Sequence, residues 1–168
     1  KKFDVLIFLI GLAHKKGSQK DLSKFRKYNF LTLKNLLSAL NNESKLPLKI
    51  IYTSSISVYG EKMNSNYYYE ESIVSPKSPY AITKLEAENY LLNNFSVNSW
   101  ILRLAPVYSN HFKLNIDRRT KFGKIFFKVG SGSNKLSLCH IDNVRVVVEA
   151  IINHELFPGI YNLSDDKI

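Results

Sequence analysis

Short apolar segments alternate with helix-like segments along the chain, and this alternation restricts the fold more than any other feature. Apolar residues predict strands at Val5–Ile10, Leu48–Ser54 and Trp100–Leu104, and helical spacing predicts helices at Asp21–Asn41 and Pro79–Asn94. Strands that alternate with helices of this length are typical of parallel βαβ units. We therefore expect an α/β protein built on a parallel sheet.

The alternation becomes looser after Tyr108. Leu136–Ile141 predicts a short strand, Asp142–Asn153 a helix and Gly159–Leu163 a final strand. We therefore divide the chain into residues 1–108 and a mixed segment, residues 109–168, that is expected to return to the sheet.

The first apolar run, "FDVLIFLIGLAHKK", could be a secretory segment, a membrane span or a buried strand. The stretch Val5–Ala13 is far shorter than the roughly 20 residues that a membrane span needs. Asp4 interrupts the basic start that a signal peptide would have, and no Met begins the chain. The run is interpreted as a buried strand, and no membrane association is expected.

The formal net charge of +10 raises the question of a nucleic-acid partner. The early lysines are spread over turns and one polar helix face, and no zinc, helix-turn-helix or RNP pattern accompanies them. Solvated surface is the leading interpretation, an anionic small ligand the second and nucleic acid the third. No nucleic-acid partner is therefore expected.

Cysteine and histidine usage adds two expectations. Cys139 is the single cysteine, so an internal disulfide is excluded and a reducing, cytoplasmic setting is expected. The four histidines, His14, His111, His140 and His154, form no metal-ligand spacing with Cys139, so no metal site is expected.

Two motifs together carry candidate chemistry. Tyr80 and Lys84 stand four residues apart in "SPYAITKLEAE", so both lie on one face of the predicted helix. An ordinary amphipathic helix would explain that spacing alone. Upstream, "IIYTSSISVYG" runs an apolar strand into Thr53, Ser54 and Ser55. Hydroxyls at the carboxyl end of a parallel strand lie where open α/β sheets bind ligands, although a serine-rich turn would explain this segment alone.

Five further segments stand in a familiar order: "DVLIFLIGLAH", "YNFLTLKNLLSAL", "WILRLAPVY", "LSLCHIDNV" and "GIYNLSD". With the two motifs, they resemble the extended short-chain dehydrogenase/reductases, and within them the NAD-dependent sugar-nucleotide epimerase/dehydratase group of UDP-glucose 4-epimerase type. The resemblance implies a partial Rossmann-type, doubly wound parallel sheet. Residues 1–108 would be the C-terminal part of the NAD(P)-binding domain, and residues 109–168 would contribute to a small C-terminal substrate lobe.

The resemblance also implies roles for individual residues. Tyr80 would be the general acid/base, and Ser55, 25 residues earlier, would hydrogen-bond the same sugar oxygen. Lys84 would donate to the ribose of NAD and lower the pKa of Tyr80, by about three units for work at neutral pH. A nearby ammonium lowers the pKa by this amount only in a desolvated cleft. The other cofactor-lining residues implied are Leu9, Ile10, Gly11, Tyr28, Asn29, Thr53, Ser54, Ala105, Pro106 and Val107.

One difference narrows the reaction. Sugar 4,6-dehydratases of this group carry Thr-Asp-Glu where this chain has Ser55, Ile56 and Ser57, so dehydration is not expected. C4 epimerisation of a UDP-sugar, or 4-ketoreduction of a nucleotide-linked sugar, remains, with NAD as cofactor and NADP not excluded. The alternative is a non-catalytic dinucleotide-sensing or interaction protein, against which the intact Ser55, Tyr80 and Lys84 argue. Assembly as a homodimer is left open.

The glycine-rich turn on which the pyrophosphate of NAD normally rests is missing. None of the 7 glycines forms G-x-x-G-x-x-G or G-x-G-x-x-G, and "VGSGSNK" at Val129–Lys135 is interpreted as a surface turn. We expect a piece that lacks its first βαβ units, rather than a degenerate paralogue, with weak NAD binding by itself. Arg118, Arg119, Lys121 and Lys124 are candidates for diphosphate contact, an exposed basic loop being the alternative.

The sequence also predicts which residues cap the start of two helices. Ser78 is expected to cap the helix that begins at Pro79, and Asp142 and Asn143 the helix that follows His140. By its position in the family pattern, His140 is expected to pack rather than to catalyse.

Overall fold

A parallel sheet forms the centre of the molecule. The computed structural model describes residues 3–13, 19–60, 67–122, 124–127, 131 and 137–166. Four parallel strands lie side by side in the order β1 (Val5–Phe8), β2 (Lys49–Ser55), β3 (Ser99–Leu104) and β8 (Gly159–Leu163). The carboxyl ends of all four strands therefore meet at one edge, where open α/β sheets bind ligands.

Helices connect these strands. The first crossover contains a 3₁₀ turn (Gln19–Asp21), α1 (Leu22–Arg26), a π turn (Lys27–Leu31) and α2 (Thr32–Asn42). The second contains a 3₁₀ turn (Ile56–Tyr59), α3 (Pro79–Phe95) and another 3₁₀ turn (Ser96–Asn98). These are the parallel βαβ units that the sequence predicts.

The segment between β3 and β8 holds several short elements. They are β4 (Val107–Tyr108), α4 (Leu114–Thr120), β5 (Lys121–Phe122), β6 (Ile125–Phe126), β7 (Cys139–His140) and α5 (Ile141–Ile152). β4 pairs with β7 in parallel, and β5 pairs with β6 in antiparallel orientation. None of the helices in the described ranges is long and apolar enough to cross a membrane.

The two faces of the sheet bury separate apolar clusters, because successive strand residues point to opposite faces. One cluster contains Phe8, Leu33, Leu37, Ile50, Tyr52, Ala87, Leu91 and Ile101. The other contains Ile51, Trp100, Leu102, Ala105, Cys139, Val144, Ile151 and Leu163. Full burial of one large apolar side chain contributes about 1.5–3 kcal/mol. The clusters therefore hold α2 and α3 on one face and α5 on the other.

The start of α3 is confirmed. Pro79 occupies the first turn, where a missing N–H costs no helical hydrogen bond. The Ser78 hydroxyl oxygen accepts a hydrogen bond from the Ala81 amide at 3.4 Å. This cap fixes where the helix that carries Tyr80 and Lys84 begins.

A π turn interrupts the helix predicted over Asp21–Asn41. It spans Lys27–Leu31, and its wider winding turns Asn29 into the protein interior while Tyr28 stays exposed. Apolar spacing carries no signal for this change of winding, so the sequence predicts one continuous helix there.

The first strand is shorter than predicted. β1 ends at Phe8, which pairs with Tyr52, and Leu9 and Ile10 lie beyond the strand with 69% and 54% exposure. The two apolar side chains therefore belong to an open segment at the ligand edge and not to the core.

Capping of α5 by Asp142 and Asn143 is wrong. The helix begins at Ile141, so these residues lie inside its first turn, and His140 is the N-cap. Its Nδ1 accepts a hydrogen bond from the Asp142 amide at 3.3 Å. The expected packing of His140 is confirmed, because its ring meets the ring of Tyr108 edge-on with 5.0 Å between centroids.

Two predictions fall partly outside the described residues. The strand predicted at Leu136–Ile141 appears at Cys139–His140, and residue 136 is not described. The glycine-containing stretch Val129–Lys135 lies outside the described residues except for Ser131. Its interpretation as a surface turn therefore stays a prediction.

Lys49 is buried beneath the end of α5. Its ammonium donates to the carbonyl oxygens of Ile151 at 2.8 Å and Ile152 at 2.6 Å. The last carbonyls of a helix have no partner within the helix, and its dipole favours a cation there. One lysine therefore joins the start of β2 to the end of α5.

Lys49→Met is expected to lower the free energy of unfolding by about 1–3 kcal/mol, because the Ile152 carbonyl loses the Lys49 donor and the Ile151 carbonyl keeps the His154 amide. Urea denaturation measures the change. Lys45→Met is the control, because Lys45 pairs with Glu43 at the exposed surface, where an ion pair is worth under about 1 kcal/mol. A Lys49→Met protein as stable as the parent would show that this contact does not stabilise α5.

Candidate functional site

Ser55, Tyr80 and Lys84 come together at the carboxyl end of β2. Ser55 is the last residue of β2, Tyr80 is the second residue of α3, and Lys84 lies one turn further along that helix. The Ser55 side chain lies close enough to Tyr80 to lower the pKa of its hydroxyl. The Lys84 Nζ lies 5.9 Å from the centroid of the Tyr80 ring. The three side chains predicted to act together therefore share one site.

The Ser55 hydroxyl is held by the turn that follows β2. Its oxygen accepts hydrogen bonds from the Ser57 amide at 3.2 Å and the Ser57 hydroxyl at 3.0 Å. Both contacts use the lone pairs of Ser55, so its proton is left to donate toward Tyr80 or a ligand oxygen.

Lys84 is buried, with 4% of its surface exposed. Its ammonium donates to the Thr53 carbonyl oxygen at 2.7 Å. Burial lowers the pKa of Lys84 to about 8, and the nearby Glu88 carboxylate acts in the opposite direction. Lys84 is therefore cationic at neutral pH and loses its proton as the pH rises through about 8.

The pKa of Tyr80 does not fall as expected among these side chains. Burial raises it above 10, and the hydrogen bond from Ser55 lowers it in part. The Lys84 ammonium is engaged by the Thr53 carbonyl and lies 5.9 Å from the Tyr80 ring centroid, so burial outweighs its charge. A lower pKa at Tyr80 requires an additional positive charge in the cleft.

Asn29 ties the segment after β1 to α3. Its Oδ1 accepts from the Leu12 amide at 2.6 Å, and its Nδ2 donates to the Leu12 carbonyl at 3.4 Å and to the Thr83 hydroxyl at 3.2 Å. A Cβ at Gly11 would lie 3.2 Å from Asn29 Oδ1 and 3.5 Å from Lys84 Nζ. The Gly11 backbone therefore approaches the site closely because glycine has no side chain.

Asn29→Ala is expected to speed hydrogen exchange at the Leu12 amide by up to about ten-fold, because a typical net hydrogen bond is worth roughly 0.5–1.5 kcal/mol. Amide exchange followed by NMR measures it. In the control Asn94→Ala, which removes an exposed bond from Asn94 Nδ2 to the Tyr90 carbonyl, exchange at Leu12 should not change. Unchanged exchange at Leu12 in Asn29→Ala would mean that Asn29 does not hold this segment.

The adjacent hydroxyls of β2 have different partners. The Thr53 hydroxyl donates to the Phe8 carbonyl at 3.1 Å, which joins β2 to the end of β1. Ser54 is buried, and its hydroxyl donates to the Glu88 carboxylate of α3. The Ser54 side chain is therefore engaged within the protein, and the structure does not bring its hydroxyl into the Ser55–Tyr80–Lys84 group.

The other predicted cofactor residues lie along the same edge of the sheet. Leu9, Ile10, Gly11 and Tyr28 are exposed in the segment after β1 and in the π turn. These residues therefore lie outside the core, and their contact with a cofactor stays a prediction.

Ala105, Pro106 and Val107 follow β3. The Ala105 amide donates to the Leu163 carbonyl at 2.9 Å, and the Pro106 carbonyl accepts from the Cys139 amide at 3.2 Å. Val107 pairs with Cys139 in the β4–β7 ladder. This segment is held by backbone bonds from both sides, and its contact with a cofactor stays a prediction.

The four basic candidates for diphosphate contact lie on α4 and on the β5–β6 pair. Arg119 donates to the Asn115 carbonyl at 2.7 Å, and Lys121 pairs with Asp117 at 2.8 Å. Arg118 and Lys124 are exposed. Both of these contacts lie within the segment, so a role in diphosphate binding stays a prediction.

A buried ion pair behind the site is missing from the sequence predictions. Glu88 and Arg103 approach to 2.8 Å, and their side chains are 1% and 4% exposed. Arg103 also donates to the Tyr59 hydroxyl at 2.8 Å and the Glu70 carbonyl at 3.0 Å. Two signals could have identified the pair: Arg103 is the charged residue within "WILRLAP", and Glu88 stands one turn after Lys84.

The contacts of Tyr59 extend this pair toward β8. The Tyr59 hydroxyl donates to Asn162 Oδ1 at 2.8 Å, and the Asn162 amide donates to the Glu70 carboxylate at 2.7 Å. The Tyr59 ring stacks on Tyr68 with 4.9 Å between centroids. The network therefore joins the turn after β2, the segment around Glu70 and strand β8 beside the candidate site.

The chain is similar to two curated proteins that are named as sugar-nucleotide enzymes. A dTDP-D-glucose 4,6-dehydratase from Dictyostelium discoideum is 27% identical over 187 residues, covering 99% of this chain and 42% of the relative. A GDP-6-deoxy-D-mannose reductase from Pseudomonas aeruginosa is 31% identical over 109 residues, covering 64% of this chain and 35% of the relative. The chain therefore spans less than half the length of these two relatives.

Solved structures agree with the fold. A UDP-glucuronic acid 4-epimerase from Bacillus cereus, in complex with NAD, matches with a TM-score of 0.79 and 27% identity, covering 98% of this chain and 54% of that one. The Rossmann-like parallel sheet predicted from the sequence is confirmed. The sequence model of the NAD dependent epimerase/dehydratase family matches residues 1–164. Nearly the whole chain is thus covered, and the chain belongs to the NAD dependent epimerase/dehydratase family.

Proposed function

We propose that this chain carries the proton-transfer site of an NAD-dependent nucleotide-sugar oxidoreductase, a C4 epimerase or a 4-ketoreductase. The observation that carries the proposal is the grouping of Ser55, Tyr80 and Lys84 at the ligand edge of a parallel sheet. The names of the three relatives support the substrate class, because each contains a nucleotide-linked sugar.

The described residues fit the nicotinamide riboside half of NAD. The bare Gly11 backbone leaves room next to Lys84 Nζ, which a Cβ would approach to 3.5 Å. Lys84 would donate to the ribose hydroxyls, and the exposed Leu9, Ile10 and Tyr28 would line the cofactor. When bound, NAD supplies the hydride acceptor and donor, and its oxidised ring carries the positive charge that Tyr80 needs. NADP remains the alternative cofactor.

Each residue of the site has a defined task in this proposal. The Tyr80 hydroxyl exchanges a proton with the oxygen on C4 of the sugar, and Ser55 donates a hydrogen bond to that oxygen. Lys84, cationic below about pH 8, favours the phenolate form of Tyr80. Lys84 is buried and Tyr80 is half-buried, and the reduced contact with water strengthens these charge effects.

Dehydration is disfavoured by the residues beside Ser55. Ile56 is apolar, and the Ser57 hydroxyl donates to Ser55. Neither residue has a carboxylate, and elimination of water needs a pair of acidic residues at these positions. One relative is named as a 4,6-dehydratase, but Ile56 and Ser57 of this chain carry no carboxylate. Epimerisation or ketoreduction is therefore proposed for this chain.

A nucleotide-sugar panel tests the proposal. The full-length protein would be incubated with NAD and UDP-, dTDP- or GDP-linked hexoses, and with NADH and the matching 4-keto sugars, and the products read by NMR. We expect inversion at C4 or reduction of the ketone. A 4-keto-6-deoxy product would overturn the choice against dehydration. Tight cofactor binding without any product would favour the non-catalytic dinucleotide-sensing alternative.

We also propose a cytoplasmic setting, supported by Cys139 as the single cysteine. Burial raises the pKa of Cys139 to about 11, so this residue stays a thiol at neutral pH. Assembly as a homodimer remains a prediction, which sedimentation velocity tests.

A further inference from the structure

The face of the Tyr52 ring meets the Lys84 ammonium. The distance from Lys84 Nζ to the Tyr52 ring centroid is 4.8 Å, shorter than the 5.9 Å to the Tyr80 ring. Tyr52 directly precedes Thr53, whose carbonyl oxygen accepts a hydrogen bond from the same Nζ at 2.7 Å. Two successive residues of β2 therefore contact the ammonium, one through its backbone and one through its ring.

Both partners of this contact are removed from water. Tyr52 is fully buried, and Lys84 is almost fully buried. A buried ammonium needs compensation for its lost hydration, and the negative face of an aromatic ring supplies some of it, most strongly where water is excluded. The ring of Tyr52 is therefore placed where a cation–π contact has its largest effect.

The hydroxyl group does not explain why a tyrosine, rather than an apolar residue, occupies position 52. Among the described residues it has no hydrogen-bond partner, although it is buried. Leucine or phenylalanine would fill the same core position without burying an unpaired hydroxyl. The polar contact that the structure gives Tyr52 is made by the ring face and is directed at Lys84.

We propose that Tyr52 is a positioning residue for Lys84, whose ammonium its ring face holds against the Thr53 carbonyl beside Ser55 and Tyr80. This inference rests on the proposed function only in treating Lys84 as part of the catalytic site. The contact itself needs neither cofactor nor substrate.

Other groups also face Lys84. From its own helix, Glu88 raises the pKa of Lys84 against the lowering by burial, and Arg103 of β3 is paired with that carboxylate. Tyr80, on the same helix, is neutral at pH 7 because burial raises its pKa. Asn29, which like Lys84 Nζ lies near Gly11, carries no charge. The ring of Tyr52 therefore acts together with Glu88 in keeping Lys84 cationic.

NMR can detect the contact between Lys84 and the Tyr52 ring in the parent protein. In protein labelled with ¹³C-lysine and free of cofactor, the ε-protons of Lys84 are expected upfield of the position typical of a lysine without a ring contact, because the Lys84 ammonium lies over the face of the Tyr52 ring. The Lys84 signal is identified by its absence in Lys84→Met. The upfield shift should persist in Tyr52→Phe and disappear in Tyr52→Leu. An unshifted Lys84 signal in the parent protein overturns the proposal, whether or not the leucine variant folds.

Titration of Lys84 distinguishes the effect of the Tyr52 ring on the pKa of Lys84 from the effect of the Tyr52 hydroxyl. In Tyr52→Leu the pKa of Lys84 should fall by about one unit, while in Tyr52→Phe it should stay within about 0.3 units of the parent value. An unchanged pKa in Tyr52→Leu, or equal falls in both variants, overturns the proposal. Neither readout uses turnover, so an inactive protein with a normal contact would refute the proposed function alone.

Discussion

Tyr80→Phe is expected to abolish turnover of a nucleotide sugar in the full-length protein while leaving NAD binding largely unchanged. The substitution removes the hydroxyl that is proposed to exchange the sugar proton and keeps the ring that packs in the site. Loss of a positioned general acid or base lowers the rate by about 10²–10⁴-fold. Steady-state kinetics give kcat, and isothermal titration calorimetry gives the Kd for NAD.

Tyr90→Phe is a matched control on the same helix. Tyr90 lies on α3, and its ring packs edge-on against Phe30 and Phe95, with 5.9 Å and 5.8 Å between centroids. That packing needs no hydroxyl, so Tyr90→Phe should keep parent turnover. Turnover of Tyr80→Phe within about ten-fold of the parent would contradict the role assigned to Tyr80. Loss of NAD binding would instead assign the Tyr80 hydroxyl to the cofactor.

Arg103→Met is expected to lower the free energy of unfolding by about 3–5 kcal/mol, because it leaves the Glu88 carboxylate as an unpaired buried charge. Glu88 is 1% exposed and accepts three hydrogen bonds from Arg103. The Tyr59 hydroxyl and the Glu70 carbonyl lose a donor in the same variant. Urea denaturation at neutral pH measures the loss.

Arg26→Met provides the comparison with an exposed pair. Arg26 of α1 pairs with Glu86 of α3, but their side chains are 43% and 27% exposed, so the loss should stay under about 1 kcal/mol. The double variant Glu88→Met with Arg103→Met should regain most of the stability, because the carboxylate that Arg103→Met leaves without its partner is removed as well. If Arg103→Met costs no more than Arg26→Met, the buried pair is not what holds α3 to β3.

Much of the fold could be predicted because apolar spacing reports burial directly. Gly159–Leu163 appears as predicted, and α3 ends within one residue of the prediction. The placement of Tyr80 and Lys84 on one helix face could also be predicted from the sequence, because a spacing of four residues fixes that face whatever the tertiary structure. These features depend on local periodicity alone.

The features that were missed depend on contacts between distant segments or on details of winding. Arg103 and Glu88 meet across a helix and a strand, and no spacing rule pairs them. His140 rather than Asp142 caps α5, because the cap is set by where the helix begins. The inward turn of Asn29 follows from a π turn that apolar spacing does not encode. Sequence patterns thus brought out the candidate site residues but not the groups that contact them.

Hydride transfer from C4 of a nucleotide sugar is the step that Ser55, Tyr80 and Lys84 are proposed to support, and it can be measured directly. Full-length protein with bound NAD would be mixed with nucleotide hexoses carrying deuterium at C4, quenched in acid and analysed by mass spectrometry. We predict deuterium in the reduced cofactor for the parent protein and the Tyr90→Phe control, and none for Tyr80→Phe. Bound NAD that gains no deuterium from any hexose, or equal gain in Tyr80→Phe, would contradict this assignment.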